Sequence, residues 1–274
     1  MSQVWFVTGA SRGLGRAIVQ AALESGASVI ATARNPKSLE EFTVKYSGTK
    51  FLPLALDVTK PQEVADAVRT GHERFGRLDV IVNNAGYANV AAIEDIEIDD
   101  FRAQIDTNFM GVVYVTKAVL PILREQGSGH IFQVSSVGGR LGNPGLCAYQ
   151  SAKWAVGGFS TILAQEVAPF GVKVTVLEPG GMLTDWAGSS MSIPTVTEPY
   201  KPTVGMVAQM LRQYNGHEPS TPEKVAKIML DLSGTDEVPL RLLIGPDAVE
   251  FGGKAVQALA ASDEKWHDLS MASV

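Results

Sequence analysis

Tyr149-Gln-Ser-Ala-Lys153 sets a phenol and an ammonium four residues apart, with the hydroxyl of Ser136 thirteen residues upstream. On a helix, residues at that separation share a face, so both side chains can point into one site. A phenol with an ordinary pKa of about 10 is a weak acid at neutral pH. A fixed cation beside it favours the phenolate and draws that value toward the working range. Ser136 adds a hydroxyl that can hold a substrate oxygen against the phenol. This is proton-transfer chemistry, and its weight depends on what stands before it in the chain.

The chain opens on a strand that runs straight into a glycine-rich turn. Gln3-Val-Trp-Phe-Val7 is apolar and β-favouring. Thr8-Gly-Ala-Ser-Arg-Gly-Leu-Gly15 follows, and Arg16 to Glu24 reads as an amphipathic helix. Glycines there let the backbone approach a pyrophosphate closely, and the helix start offers unpaired N–H groups and a positive dipole end. A loose glycine pattern can be a turn of no function. The order strand, glycines, helix is the context that a dinucleotide site requires.

The spacing Gly9, Gly13, Gly15 is not the usual G-x-G-x-x-G. Together with Asn83-Asn-Ala-Gly86, Ser136, Tyr149-x-x-x-Lys153 and Pro179-Gly180, it resembles the short-chain dehydrogenase/reductase family, in its ordinary single-domain branch. The resemblance spans roughly Val4 to Asp185. It implies a catalytic set of Asn108, Ser136, Tyr149 and Lys153. Here Asn108 bends its helix and helps place a water that connects to the lysine, and Lys153 both binds the nicotinamide ribose and tunes Tyr149. It also implies a cofactor cradle of Gly9, Ser11, Arg12, Gly13, Leu14 and Gly15, with Tyr149 and Lys153. Asp57 and Val58 take the adenine, Asn84, Ala85 and Gly86 the adenosine ribose side, and Pro179, Gly180, Met182 and Thr184 face the nicotinamide. Gly181 departs from the family pattern, in which a bulkier residue is usual.

Cofactor choice rests on two arginines. Where NAD-preferring relatives carry a carboxylate, this chain has Ala33, followed by Arg34. Arg12, inside the glycine turn, is placed to reach the same region. Two guanidinium groups around a 2′-phosphate make charge-assisted contacts, so NADP(H) is expected over NAD(H). The expected reaction moves a hydride between nicotinamide and a carbonyl or secondary alcohol, preferably reducing an apolar ketone or aldehyde, with Tyr149 as general acid/base. The residues expected to bind substrate are Ser136, Tyr149, Leu141, Asn143 and Trp186. Tyr87, Leu146, Met182, Leu183, Met191, Ile193, Tyr200, Met206 and Met210 are further wall candidates. The four-residue Tyr–Lys spacing counts against an enoyl reductase. The alternative of another class is a non-catalytic NADP(H)-binding sensor or scaffold, which would commonly lack the serine, tyrosine or lysine.

Apolar runs and helical patterns alternate along the chain. Strands are expected near 3–7, 27–32, 51–56, 79–82, 129–134, 173–178 and 240–244. Helices fit near 13–25, 37–46, 61–75, 99–125, 148–168, 200–214, 221–233 and 247–261. That alternation predicts an α/β fold: a Rossmann-type, doubly wound parallel sheet of about seven strands with helices on both faces. The 274 residues read as one domain, 1–274, with a substrate-loop region about 184–220 and a C-terminal segment about 246–274. Ala187–Pro202 is the long irregular stretch, the kind that forms lids and binding loops.

Composition narrows the partners. A net charge of −6 argues against nucleic acid or an anionic membrane, and no apolar run is long enough to span a bilayer. Cys147 is the single cysteine, so no internal disulfide forms, and His72, His130, His217 and His267 lack ligand spacing, so no metal is expected. The start shows no secretory pattern, and a cytoplasmic location is the expectation. The partner is a small carbonyl or alcohol substrate. Helices 99–125 and 148–168 match those that pair relatives into a homodimer or homotetramer.

Overall fold

The computed structural model describes residues 2–46, 48–186, 188 and 190–273. β1 (Val4–Val7) leads through the glycine turn into α1 (Gly13–Glu24), and β2 (Ser28–Ala33) follows. A 3-10 turn, Pro36–Leu39, capped by the Asn35 side chain, feeds the short α2 (Glu40–Lys45) and then β3 (Phe51–Ala55). α3 (Pro61–Phe75) begins on a proline and stops at Gly76 in the left-handed region, φ 74°, the usual asymmetry of helix ends. β4 (Val80–Asn83) comes next, then α4 (Ile98–Ile105), a π turn over Asp106–Met110, and α5 (Gly111–Gln126). β5 (Gly129–Val134), α6 (Cys147–Val167) and β6 (Val172–Pro179) complete the central part. Beyond it lie α7 (Met206–Tyr214), α8 (Pro222–Ser233), β7 (Arg241–Ile244), α9 (Pro246–Lys265) and α10 (His267–Met271).

The strands form one parallel sheet in the order β3-β2-β1-β4-β5-β6-β7. Alternate side chains feed two cores, as the strand period requires. Trp5, Val7, Val82 and Phe132 face one side with Ile18 of α1 and Met229 of α8. Val4, Phe6, Ile81 and Ile131 face the other with Val68 of α3, Val119 of α5 and Leu163 of α6. With both faces covered, the strands read as nearly continuous apolar runs. The fold is therefore the Rossmann-type doubly wound sheet. The order of strand addition reverses between β1 and β4, and ligands of such sheets bind at that crevice.

Two expected helices differ in detail. The expected helix 99–125 is broken by the π turn at Asp106–Met110. The expected helix 200–214 is preceded by a 3-10 turn, Glu198–Tyr200, and a π turn, Lys201–Gly205, so regular α-helix starts only at Met206. In the irregular stretch, Ala187 and Ser189 lie outside the described residues. Among the described residues, no helix is long and apolar enough to cross a membrane.

His130, on β5, is a buried core residue whose ring lies 3.9 Å from that of Phe132. Its Nε2 lies 2.9 Å from the Thr175 hydroxyl, which itself donates to Pro239 O at 2.9 Å. The imidazole is therefore the Nε2–H donor, and Nδ1 is buried without a partner among the described residues. Burial, aided by Lys173, lowers its pKa from 6.5 to about 3. The unfolded chain thus takes up this proton at higher pH than the folded one. The stabilising contribution is present above 6.5 and is lost as pH falls toward about 3. Full loss amounts to on the order of 5 kcal/mol. His130→Gln, which keeps a donor for Thr175, is expected to flatten this acid limb, measured as urea-unfolding free energy against pH.

Candidate active site

The glycine turn and the end of β4 are fitted to each other through side-chain amides and missing Cβ atoms. Thr8 Oγ1 accepts the N–H groups of Asn84 at 3.0 Å and Ala85 at 3.1 Å. Asn84 Nδ2 donates back to Thr8 O at 3.0 Å and Gly9 O at 3.1 Å. A Cβ on Gly15 would fall 2.3 Å from Gly9 O, and one on Gly9 (φ +67°) 2.8 Å from Ala85 Cα. Only glycine permits that approach. Asn84 thus acts on the turn itself. Sequence reasoning passed over Thr8, whose signal is its place directly before the first glycine.

α1 begins at the mouth of this turn. Its cap residue Arg12 supplies no side-chain acceptor, and its first turn contains no carboxylate. Helix geometry leaves the N–H groups of Gly13, Leu14 and Gly15 to an outside acceptor, which suits an anionic pyrophosphate. Ser11 and Gly13 are half-buried beside it. The donor set present fits a dinucleotide. Of the residues expected at the adenine, Val58 is buried against Gly111, and Asp57 Oδ1 accepts from the Thr59 N–H and hydroxyl.

Ser136, Tyr149 and Lys153 converge beyond the ends of β5 and β6. Ser136 is extended (φ −164°), accepts the Gly138 N–H at 3.0 Å and lies 3.5 Å from Pro179 O. Its hydroxyl stands close enough to the Tyr149 phenol to favour the phenolate. Tyr149 and Lys153 are both buried on one face of α6. Lys153 Nζ donates to Val134 O at 2.8 Å and stands 5.6 Å from the Tyr149 ring centroid. Gly138 and Gly139 let the serine loop press onto α6, since Cβ atoms there would fall 2.8 Å from Gln150 Nε2 and 2.9 Å from Lys153 O respectively.

Asn108 is fully buried inside the π turn. Its Nδ2 donates to Tyr87 O at 2.9 Å and Gln104 O at 2.8 Å, while Oδ1 accepts the Tyr87 N–H at 3.1 Å. Spending the amide on Tyr87 and the preceding turn of helix accounts for the local π geometry. Gly86 is the neighbour that joins Asn108 to Lys153: a Cβ there would meet Asn108 Oδ1 at 2.5 Å and Lys153 Nζ at 3.5 Å.

A third apolar cluster roofs the phenol. Leu146, Met191, Val204 and Ala208 pack with Tyr149, and Trp186, Ile193 and Tyr200 join them. The Trp186 ring lies 5.3 Å from that of Tyr149. The roof is tied to the loop after β4. Val90 N donates to Ser192 O at 2.9 Å, Thr197 to Asp95 at 2.8 Å, and the Tyr200 hydroxyl to Glu94 at 2.5 Å. Among the wall candidates, Leu183, Met206 and Met210 instead face solvent. Asn143, expected at the substrate wall, has its N–H drawn to Gln150 Oε1 at 2.6 Å and lines an outer hollow of about 550 Å³ with Cys147, Ser151 and Trp154. Those three residues occupy the helix face opposite Tyr149. Leu141, half-buried, offers its carbonyl to the Trp154 indole at 3.4 Å, at the edge of the same hollow.

Similarity to known proteins agrees with this arrangement. A family model described as short chain dehydrogenase matches residues 3–192. The chain belongs to the short-chain dehydrogenase/reductase family. It is similar to oxidoreductase BOA17 of Botryotinia fuckeliana, at 65% identity over 273 residues and 100% of both chains. A crystal structure of a short-chain dehydrogenase from Streptomyces avermitilis superposes with a TM-score of 0.93 at 35% identity, covering 100% of both chains. An alcohol dehydrogenase from Thermococcus sibiricus, complexed with 5-hydroxy-NADP, gives 0.74 at 26% identity over 89% of this chain and 97% of its own. The protein is an oxidoreductase of this family.

One sequence expectation for this family member needs correction: the ammonium does not draw the phenol down. Burial pushes Tyr149 up to about 12, opposed by the Ser136 hydroxyl, and burial pushes Lys153 down to about 8. Both groups lose water, and desolvation penalises each charged form. Arg12 Nη1 pairs with Asp185 Oδ2 at 3.3 Å, bridging the glycine turn to the loop after β6, where a Cβ on Gly13 would also touch Thr184 at 3.4 Å. Arg34 stays exposed at the end of β2, and its charge reaches the half-buried Tyr87 phenol.

Gly180 and Gly181 have close neighbours. A Cβ on Gly181 would fall 2.7 Å from Cε1 of Tyr214, so the departure from the family pattern makes room for that ring. Met182 bridges to Ser220, and Thr184 Oγ1 donates to Met182 O at 3.3 Å. Directly before Pro179, Glu178 is fully buried and pairs with Arg140 and Arg241. Its signal in the sequence is a charge at the end of an otherwise apolar strand.

Proposed function

We propose that this chain is an NADP(H)-dependent carbonyl reductase of the short-chain family, acting on an apolar ketone or aldehyde, with Tyr149 as the general acid/base. The observation that carries the proposal is the buried Tyr149 phenol beside the Ser136 hydroxyl, with the Lys153 ammonium 5.6 Å from the phenol ring. The start of α1 and the Pro179–Thr184 turn would hold the dinucleotide, which when bound supplies or accepts the hydride. Ser136 and Tyr149 hydrogen-bond the carbonyl oxygen, where negative charge develops. Tyr149 passes its proton to that oxygen, and the Lys153 ammonium stabilises the phenolate left behind. In alcohol oxidation the phenolate takes the proton back. The apolar roof of Leu146, Trp186, Met191 and Val204 supports an apolar substrate.

The test is oxidation of NADPH and NADH across aromatic, aliphatic and polycyclic carbonyls. Arg34, with Ala33 before it, supports the 2′-phosphate preference. Arg34→Asp is expected to lower kcat/KM for NADPH by about 10- to 100-fold, the worth of a charge-assisted contact, and to spare NADH. An unchanged NADPH/NADH ratio sinks the cofactor assignment. The pH profile follows from Lys153, which carries its charge only below about 8. Reduction needs the phenol protonated and the lysine charged, so kcat/KM is expected to be level at neutral pH and to fall above about 8. Oxidation of the alcohol is expected to rise through the same range. A reductive profile still level two pH units higher, at about pH 10, argues against a charged Lys153 in the reaction.

A further inference from the structure

Each N–H group that is held in the turn after Pro179 goes to a fixed acceptor. Gly180 donates to Ile244 O at 3.0 Å, and Leu183 to Ser220 O at 2.9 Å. Gly181 instead donates to a side chain, the Asp247 carboxylate, whose Oδ2 lies at 2.6 Å. Asp247 is the second residue of α9, just past β7. Gly245, at φ +100°, turns the chain from β7 into α9, and a Cβ there would fall 2.9 Å from Asp247 Oδ1.

The carboxylate is not arranged for its own stability. Oδ1 is buried with no donor among the described residues, and a buried acceptor left unsatisfied costs free energy. The neighbouring glycines are shaped around it. A Cβ on Gly180 would lie 2.4 Å from both carboxylate oxygens. Asp247 on one side and Tyr214 on the other therefore grip a double glycine that no side chain could occupy.

We infer that Asp247 is a positioning residue: through the Gly181 N–H it fixes the turn that faces the nicotinamide, and so sets the approach of the hydride to the carbonyl held by Ser136 and Tyr149. The inference rests on the NADP(H) reading of the site. It ties the C-terminal helix, remote from the motifs, to the reacting centre. A misplacement of about 1 Å at such a centre can cost about 100-fold in rate.

The experiment compares Asp247→Ala and Asp247→Asn for NADPH affinity by fluorescence, kcat and KM with one accepted carbonyl, and Tm. Asp247→Ala is expected to weaken NADPH binding and to lower kcat by about tenfold or more, with little change in Tm because the unsatisfied Oδ1 is removed too. Asp247→Asn keeps an oxygen for Gly181 and is expected to recover most of the kcat. Wild-type kcat and affinity in Asp247→Ala overturn the inference, as does a lowered Tm with kcat intact or no recovery by asparagine. Gly180→Ala, made in the wild type and in the Asp247→Ala variant, is expected to cost more kcat where the carboxylate is present. Equal costs overturn the steric half. If the wild type binds neither NADPH nor NADH, the inference falls together with the cofactor reading; if the wild type turns over and only Asp247→Ala is silent in effect, it falls alone.

Discussion

Tyr149→Phe is expected to lower kcat for carbonyl reduction by about 1,000-fold or more, at the upper part of what a positioned acid contributes, while NADPH binds nearly as before. The ring itself does structural duty, packing against Trp186 at 5.3 Å under the roof of Leu146 and Met191, and phenylalanine preserves that packing. Only the hydroxyl disappears, and with it the group that faces Ser136. Stopped-flow NADPH oxidation, with cofactor affinity read separately by fluorescence, checks both halves. Substantial residual turnover removes Tyr149 from the proton transfer. Ser136→Ala is the companion variant, with an expected loss of about 100-fold for one oxyanion donor. Tight NADPH binding without turnover on any carbonyl would point to the non-catalytic sensor.

The second large effect concerns stability. Glu178→Ala is expected to destabilise the protein by about 3–5 kcal/mol, the cost of removing one partner from a buried ion pair. Glu178 Oε2 accepts from Arg140 Nε at 2.7 Å, and Oε1 from Arg241 Nε at 2.8 Å, with no exposure of the carboxylate. Arg140 belongs to the loop that carries Ser136, Glu178 stands one residue before Pro179, and Arg241 opens β7. Arg241 also reaches Gly139 O at 3.4 Å, and a Cβ on Gly157 of α6 would lie 3.0 Å from its guanidinium. One carboxylate therefore locks the serine loop, the turn after Pro179 and the last strand together. Glu178→Gln keeps the acceptor on one arginine and is expected to lie between wild type and alanine. Urea unfolding reads the difference, and a loss below about 1 kcal/mol, the range of a surface pair, shows that the cluster does not hold these segments.

Some of this protein was legible residue by residue. The seven strands fall where apolar runs end at glycines and turns, because a sheet covered on both faces leaves few polar positions in its inner strands. Tyr149 and Lys153 share a face because helical spacing alone requires it. The start of α1 follows the glycines because nothing bulkier tolerates 2.3 Å from Gly9 O. These are local properties, set by neighbours in the chain and by backbone sterics.

The rest needed segments distant in sequence to meet. The π turn at Asp106–Met110 exists because the Asn108 amide reaches across to Tyr87, which no helical pattern announces. The Asn143 N–H meets the Gln150 side chain, and Arg12 pairs with Asp185 across 173 residues of chain. The direction of the phenol shift reversed for the same reason. Spacing put a cation beside Tyr149, but Trp186, Met191 and Val204 from the roof took its water away. The sequence by itself determined which groups could share a site, because covalent spacing fixes faces and turns. Tertiary structure alone decided their solvent, their partners and hence their charge, because burial and ion pairing depend on which distant segments close over them.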